Sequence, residues 1–150
     1  MKIETKWTEK MMFVSSAEGH EVKMDTKSPI GTDTALSPKQ LVVAGLAGCT
    51  AMDVVALMRK HKQPIESFEI EAEVEKSAGG YPEVFTNVLL IFKLRGDLDH
   101  AKVREAVTLS QTKYCGVSAM LSKAFPIKYR IEINGAQIQG EQIAFPKNVS

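Results

Sequence analysis

The stretch SPKQLVVAGLAGCTAMDVVALMRK, residues 37 to 60, limits what this chain can fold into more than any other part of it. Ser37 stands where a helix N-cap belongs, Pro38 suits the first helical position and Gln40 the third, so the segment opens as a helix with its first amides satisfied. From Leu41 to Met58 the residues are apolar or small on nearly every side of that helix rather than along one stripe. Such a helix belongs in the centre of a core or in a bilayer. The bilayer reading fails on detail, because Asp53 sits mid-segment, where a carboxylate costs about 2.5–3.5 kcal/mol. No second hydrophobic segment accompanies it. The basic run at 59 to 62 (RKHK) gives the helix C-terminus the positive charge it favours, which is a structural role and not a nucleic-acid patch.

The flanking segments alternate. KIETKW puts Ile3, Thr5 and Trp7 on one face, MMFVSS follows, and HEVKMD alternates again, with turns expected at Glu9-Lys10 and Glu18-Gly19. This predicts a three-stranded antiparallel meander, followed by a surface loop over TKSPIGTDTAL. After the apolar helix, SFEIEAEVEK and VFTNVLLIFKLRG read as the two strands of a hairpin. Asp97 or Asp99 then caps a helix from His100, a bend near Tyr114–Gly116 leads into a shorter helix, and IKYRIEI is a final strand. The tail after Gly135 carries no assignment. Strands joined by hairpins and interrupted by helices argue an α+β fold. The expected organisation is one domain over residues 1–150, which buries roughly two thirds of its unfolded surface. That leaves little to wrap a helix so apolar, and a second copy of the chain is expected to cover it.

Lysines and arginines number 19 against 18 acids, spread along the chain, for a net charge of +1. Neither a nucleic acid nor an anionic membrane is an expected partner. MKIETKWTEK carries charges where a signal peptide needs an apolar core, so the expectation is a cytoplasmic protein. His20, His61 and His100 show none of the short spacings that zinc sites use, and no metal is expected.

Chemistry points to the two cysteines, Cys49 and Cys115, 66 residues apart. In a reducing compartment such a pair is more often free or catalytic than a structural staple. Cys49 has Gly45 and Gly48 on neighbouring turns, where another backbone or a substrate has room to approach, and Asp53 one turn on. A carboxylate in an apolar segment requires a partner. A reactive thiol needs a cation, a base or a helix N-terminus, and Asp53 alone opposes a thiolate. Cys115, in KYCGVSAM, stands at the start of a short helix two residues from Lys113, an electropositive setting that is expected to lower its pKa.

SPKQLVVAGLAGCTAMDVV followed by LSQTKYCGVSAML resembles the OsmC/Ohr family of osmotically inducible and organic hydroperoxide resistance proteins, and in particular its OsmC-like subgroup. The resemblance implies an intertwined α+β homodimer with central helices between antiparallel sheets. It implies a thiol-dependent peroxidase of oxidative stress defence, acting on organic hydroperoxides or hydrogen peroxide and recharged by an external dithiol. By that likeness Cys49 is the peroxidatic cysteine and Cys115 the resolving one, without metal or organic cofactor. The chain departs from the family's P-E-Q turn, whose Glu holds an Arg beside the thiolate. Here that turn is Pro38-Lys39-Gln40, and no arginine precedes Arg59. Lys39, Lys10, Lys23 or His20 then stands in for the missing cation, and Asp53 for the carboxylate. The alternative is a non-enzymatic protein of the same fold that binds a small apolar ligand or senses redox state at the dimer interface.

Overall fold

A computed structural model describes residues 1–146, and contacts divide the chain into two compact units, Met1–Ala44 and Gly45–Ser150. In the first unit β1 (Glu4–Glu9), β2 (Met12–Ala17) and β3 (His20–Met24) form the expected antiparallel meander in that order. Ala17 pairs with His20, and the two residues between them, Glu18 (φ 51°) and Gly19 (φ 82°), are both left-handed. That is the type I′ turn, whose twist matches that of the flanking strands. Trp7 remains 64% exposed, its Nε1 donating to the Lys10 carbonyl at 2.9 Å.

The loop from Asp25 to Leu36 is organised by one side chain. The buried Asp25 carboxylate accepts from the Thr26 N–H at 2.8 Å, the Thr32 N–H at 2.9 Å and the Thr32 hydroxyl. The Thr32 hydroxyl is the main cause that holds the Asp25 carboxyl down at about 2, against burial and with help from the amides of Thr26, Thr32 and Thr34. A Cβ on Gly31 would lie 2.1 Å from the Thr26 carbonyl oxygen, so only glycine fits there. The loop then delivers Ser37 to its cap. Gln40 N–H donates to Ser37 Oγ at 3.4 Å and Ser37 N–H to Gln40 Oε1 at 2.8 Å, the reciprocal capping box expected for this helix.

Helix α1 (Pro38–Lys60) buries four of its 23 residues, Leu46, Thr50, Val54 and Met58, one every fourth position. Its other sides stay open, with Met52 76% exposed. Among the described residues it is the one helix long and apolar enough to cross a membrane by length and composition.

In the second unit β4 (Ser67–Lys76), β5 (Phe85–Arg95), β6 (Ile127–Ile133) and β7 (Ala136–Ile143) form one sheet in that order. The hairpin β4–β5 is antiparallel as expected, but β5 and β6 run parallel, joined by a crossover through α2 (His100–Leu109) and α3 (Gly116–Leu121). The expectation of antiparallel sheets alone is corrected here. A parallel pair needs such a crossover, and its inner strand is buried on both faces, which explains the unbroken buried run Val88–Phe92. Strand β7 fills the tail that the sequence left unassigned, apart from the last four residues, which lie outside the described ones. Its turn is Asn134 (φ 52°) and Gly135 (φ 81°), the Asn-Gly pair that favours a type I′ hairpin.

The core lies on one face of this sheet. Val88, Leu90, Phe92 and Leu94 of β5 and Ile127, Tyr129, Ile131 and Ile133 of β6 alternate inward. Val103, Ala106 and Val107 of α2 and Leu46, Val54 and Met58 of α1 belong to the same cluster. Phe92 sits at its middle, with its ring centroid 6.3 Å from those of both Phe68 and Tyr129. Asp99, one of the two expected caps, opens α2 by accepting from the N–H groups of Ala101 at 2.8 Å and Lys102 at 3.3 Å.

Candidate thiol site

The fold places one cysteine in the middle of α1 and the other at the N-cap of α3. Cys49 lies on the half-buried flank of α1, one position before the buried Thr50. Cys115 follows a π turn, Ser110–Tyr114, in which the Cys115 N–H reaches back five residues to the Ser110 carbonyl at 3.0 Å. The chain then turns extended at Cys115 (φ −69°, ψ 101°) and restarts as α3, with Cys115 as its N-cap. The expected bend near Tyr114–Gly116 is this π turn and its exit. Turns of that type frequently mark functional positions.

Cys115 is fully buried, and its Sγ accepts the Ser118 N–H at 3.3 Å. Cys49 is near enough to act on the Cys115 thiol, and both thiols are free. Burial pushes the Cys115 thiol up, the hydroxyl and N–H of Ser118 oppose that push, and Cys49 adds to it. The electropositive setting expected from Lys113 is therefore overturned. Lys113 is exposed, with its ammonium 5.4 Å from the Tyr114 ring centroid, and desolvation of the thiol dominates.

Asp53 finds its partner in Ser110, whose hydroxyl donates to Oδ2 at 3.0 Å; among the described residues Asp53 makes no ion pair. Behind it lies a set of buried polar side chains that the sequence reading did not single out. Thr50 Oγ1 and Ser110 Oγ are 2.7 Å apart, Gln111 Nε2 donates to Thr50 Oγ1, and Ser118 Oγ donates to Gln111 Oε1 at 3.3 Å. Thr50, Ser110, Gln111 and Ser118 are all fully buried. Together they connect Asp53 to Cys115.

Lys39 occupies the first turn of α1, ten residues ahead of Cys49 in sequence. Within one chain nothing packs on Gly45 or Gly48, since a Cβ on either would meet nothing within 4 Å. Space is open beside Cys49 instead. Among the described residues no three His, Cys, Asp or Glu side chains converge to hold a metal ion.

Residues 31–130 match the family model described as OsmC-like protein. The chain belongs to the OsmC family. It is 38% identical over 138 residues to the protein YhfA of Escherichia coli strain K12, covering 91% of this chain and all of that protein. Its OsmC fold recurs in the crystal structure of an OsmC-like protein from Mycoplasma pneumoniae at a TM-score of 0.75 and 12% identity, over 88% of this chain and 95% of that one. The organic hydroperoxide resistance protein OhrB of Bacillus subtilis matches at a TM-score of 0.59 and 20% identity, over 89% and 96% of the two chains.

Proposed function

We propose that this OsmC-family protein is a thiol-dependent peroxidase of oxidative stress defence, reducing organic hydroperoxides or hydrogen peroxide. The observation that carries the reading is the adjacency of Cys49, half-buried beside open space, and Cys115, buried and held by Ser118. In this reading the Cys49 thiolate attacks the peroxide. A sulfur–oxygen bond forms, the O–O bond breaks, and the alkoxide leaves and is protonated to an alcohol. Cys49 is then a sulfenic acid. The Cys115 sulfur attacks it, a disulfide forms, and the sulfenic oxygen leaves as water with the Cys115 proton. An external dithiol restores both thiols and becomes a disulfide itself.

Cys49, open to a small molecule, is the peroxidatic cysteine, and Cys115, shielded from solvent and favouring its protonated form, is the resolving one. Asp53 supports the site through Ser110. Lys39 supplies the cation in this reading, from a second copy of the chain. The reading takes the protein as a cytoplasmic homodimer, supported by the open sides of α1. The fold shared with the organic hydroperoxide resistance protein OhrB supports the substrate class.

Stoichiometric cumene hydroperoxide tests it. Wild-type protein should lose two thiols within seconds to minutes, Cys115→Ser should stop at a sulfenic acid on Cys49, and Cys49→Ser should lose none. Wild-type thiols that persist over minutes would sink the reading.

A further inference from the structure

The buried polar groups around Cys115 close on themselves. The Cys115 N–H donates to the Ser110 carbonyl at 3.0 Å, and Ser110 Oγ lies 2.7 Å from Thr50 Oγ1. Thr50 Oγ1 accepts from Gln111 Nε2, and Gln111 Oε1 accepts from the Ser118 hydroxyl at 3.3 Å. The Ser118 N–H returns to Cys115 Sγ, also at 3.3 Å. The bonds therefore form a ring that starts and ends on Cys115, and all of its members are buried. Away from water such bonds are not traded for solvent ones, and they are directional where apolar packing is not.

Three elements contribute to the ring. Ser110 and Gln111 belong to the π turn, Ser118 to α3 and Thr50 to α1. Cys115 has an extended backbone between the π turn and α3, so neither of those two elements alone fixes where its sulfur points. The ring grips both sides of that junction and ties them to α1. Thr50 is its sole member from α1, and it directly follows Cys49 in the chain. Protons show how much rests on it. The Asp53 carboxylate takes the Ser110 proton at 3.0 Å, in preference to the Thr50 carbonyl at 3.5 Å. The proton between Ser110 and Thr50 is then that of Thr50, whose hydroxyl donates to Ser110 and accepts from Gln111. Loss of this one hydroxyl opens the ring on both sides of α1.

We propose that Thr50 is a positioning residue for the thiol pair: through the ring it holds Cys115 in register with its own neighbour Cys49, so that the ordering a disulfide requires is already in place in the reduced protein. The proposal rests on the reading of Cys49 and Cys115 as a pair that closes to a disulfide. Ordering reactive groups in advance raises their effective concentration for one another.

That quantity is measured without peroxide, by equilibrating the protein in glutathione buffers of stepped reduced-to-oxidised ratio and weighing the alkylated products. Two electrons and two protons pass from the cysteines to glutathione disulfide, giving the protein disulfide and two reduced glutathiones. Thr50→Val should lower the effective concentration of the two thiols roughly tenfold, the size of one to two lost hydrogen bonds. Thr50→Ser, which restores the hydroxyl, should return it to within about twofold of wild type. Gln111→Met opens the ring elsewhere and should act as Thr50→Val does; if Thr50→Val does not fold, Gln111→Met decides in its place. Val54→Ala, one turn on in the buried stripe of α1 and outside the ring, should lower the melting temperature and leave the equilibrium unchanged. An unchanged or more stable disulfide in the ring variants overturns the proposal, as does an equal loss in Val54→Ala or a wild-type protein that forms no internal disulfide. Wild-type thiols that ignore cumene hydroperoxide and still follow Thr50 in glutathione would sink the peroxidase reading alone. Thiols consumed by hydroperoxide with a glutathione equilibrium indifferent to Thr50 would sink this proposal alone.

Discussion

Thr50 carries more of the site than its place in an apolar helix suggests. It accepts from Gln111 and meets Ser110, all without solvent. Thr50→Val keeps the shape of the side chain and removes the hydroxyl, which leaves the Gln111 amide a buried donor without a partner. Such a loss costs about 1–3 kcal/mol, and a urea melt of the variant should show it as a lower midpoint with an unchanged slope. The cysteines and Asp53 were legible in the sequence because each is chemically conspicuous in its setting. Thr50, Ser110, Gln111 and Ser118 were not, since an uncharged polar residue in a helix reads as solvent-facing until a second segment is laid against it. The one available signal was their context: Thr50 inside an all-apolar run, Ser110 and Gln111 at the end of an apolar stripe. Cys115 taught the reverse lesson. Its sequence neighbours implied a lowered pKa, and burial, which neighbours do not report, reversed the direction.

At the scale of elements, the loop 25–36 and its single carboxylate behave as one piece. The Asp25 carboxyl is depressed from 3.8 to about 2 in the folded chain, so its contribution to stability is complete above the unfolded value and is lost as pH falls from about 4 toward 2. Asp25→Asn keeps the size and gives up the charge-assisted bonds from Thr32 and Thr26. Melting temperatures measured at pH 6 and pH 3 should show the variant below wild type at pH 6, with the gap narrowing at pH 3. A gap that stays constant between the two would mean that the carboxylate does not hold the loop. The Glu18-Gly19 turn and the capping box of α1 were readable, because each is a local matter of two to four residues; the first turn falls at Lys10-Met11, one residue past the Glu9-Lys10 expected. The turn Asn134-Gly135 was equally local and was passed over, and strand β7 with it. The parallel pairing of β5 and β6 was not local: nothing within either strand announces its direction, and only the crossover between them decides it.

For the molecule as a whole, α1 sets the terms. Its sequence asks for cover on every side, and within one chain it receives cover along one stripe of four residues. The proposed homodimer is the response to that imbalance. It predicts that wild-type protein sediments at twice the chain mass and that Met52→Asp, a charge set on the bare side of α1, sediments at the chain mass. Equal masses for the two would remove α1 from the interface. The α+β class was legible from the order of strands and helices, while the meeting of Cys49 and Cys115 across 66 residues was not, and the π turn shows why. Each residue of an α-helix advances the chain by about 100° around its axis, whereas a π turn takes in one residue more without completing another revolution. Cys115, at the exit of that turn, is therefore shifted in angular phase relative to α2. Two proteins with the same residue count between their cysteines, one with that offset and one without, would aim the second sulfur in different directions. The thiol pair is thus kept in step by timing around an axis as well as by spacing along the chain.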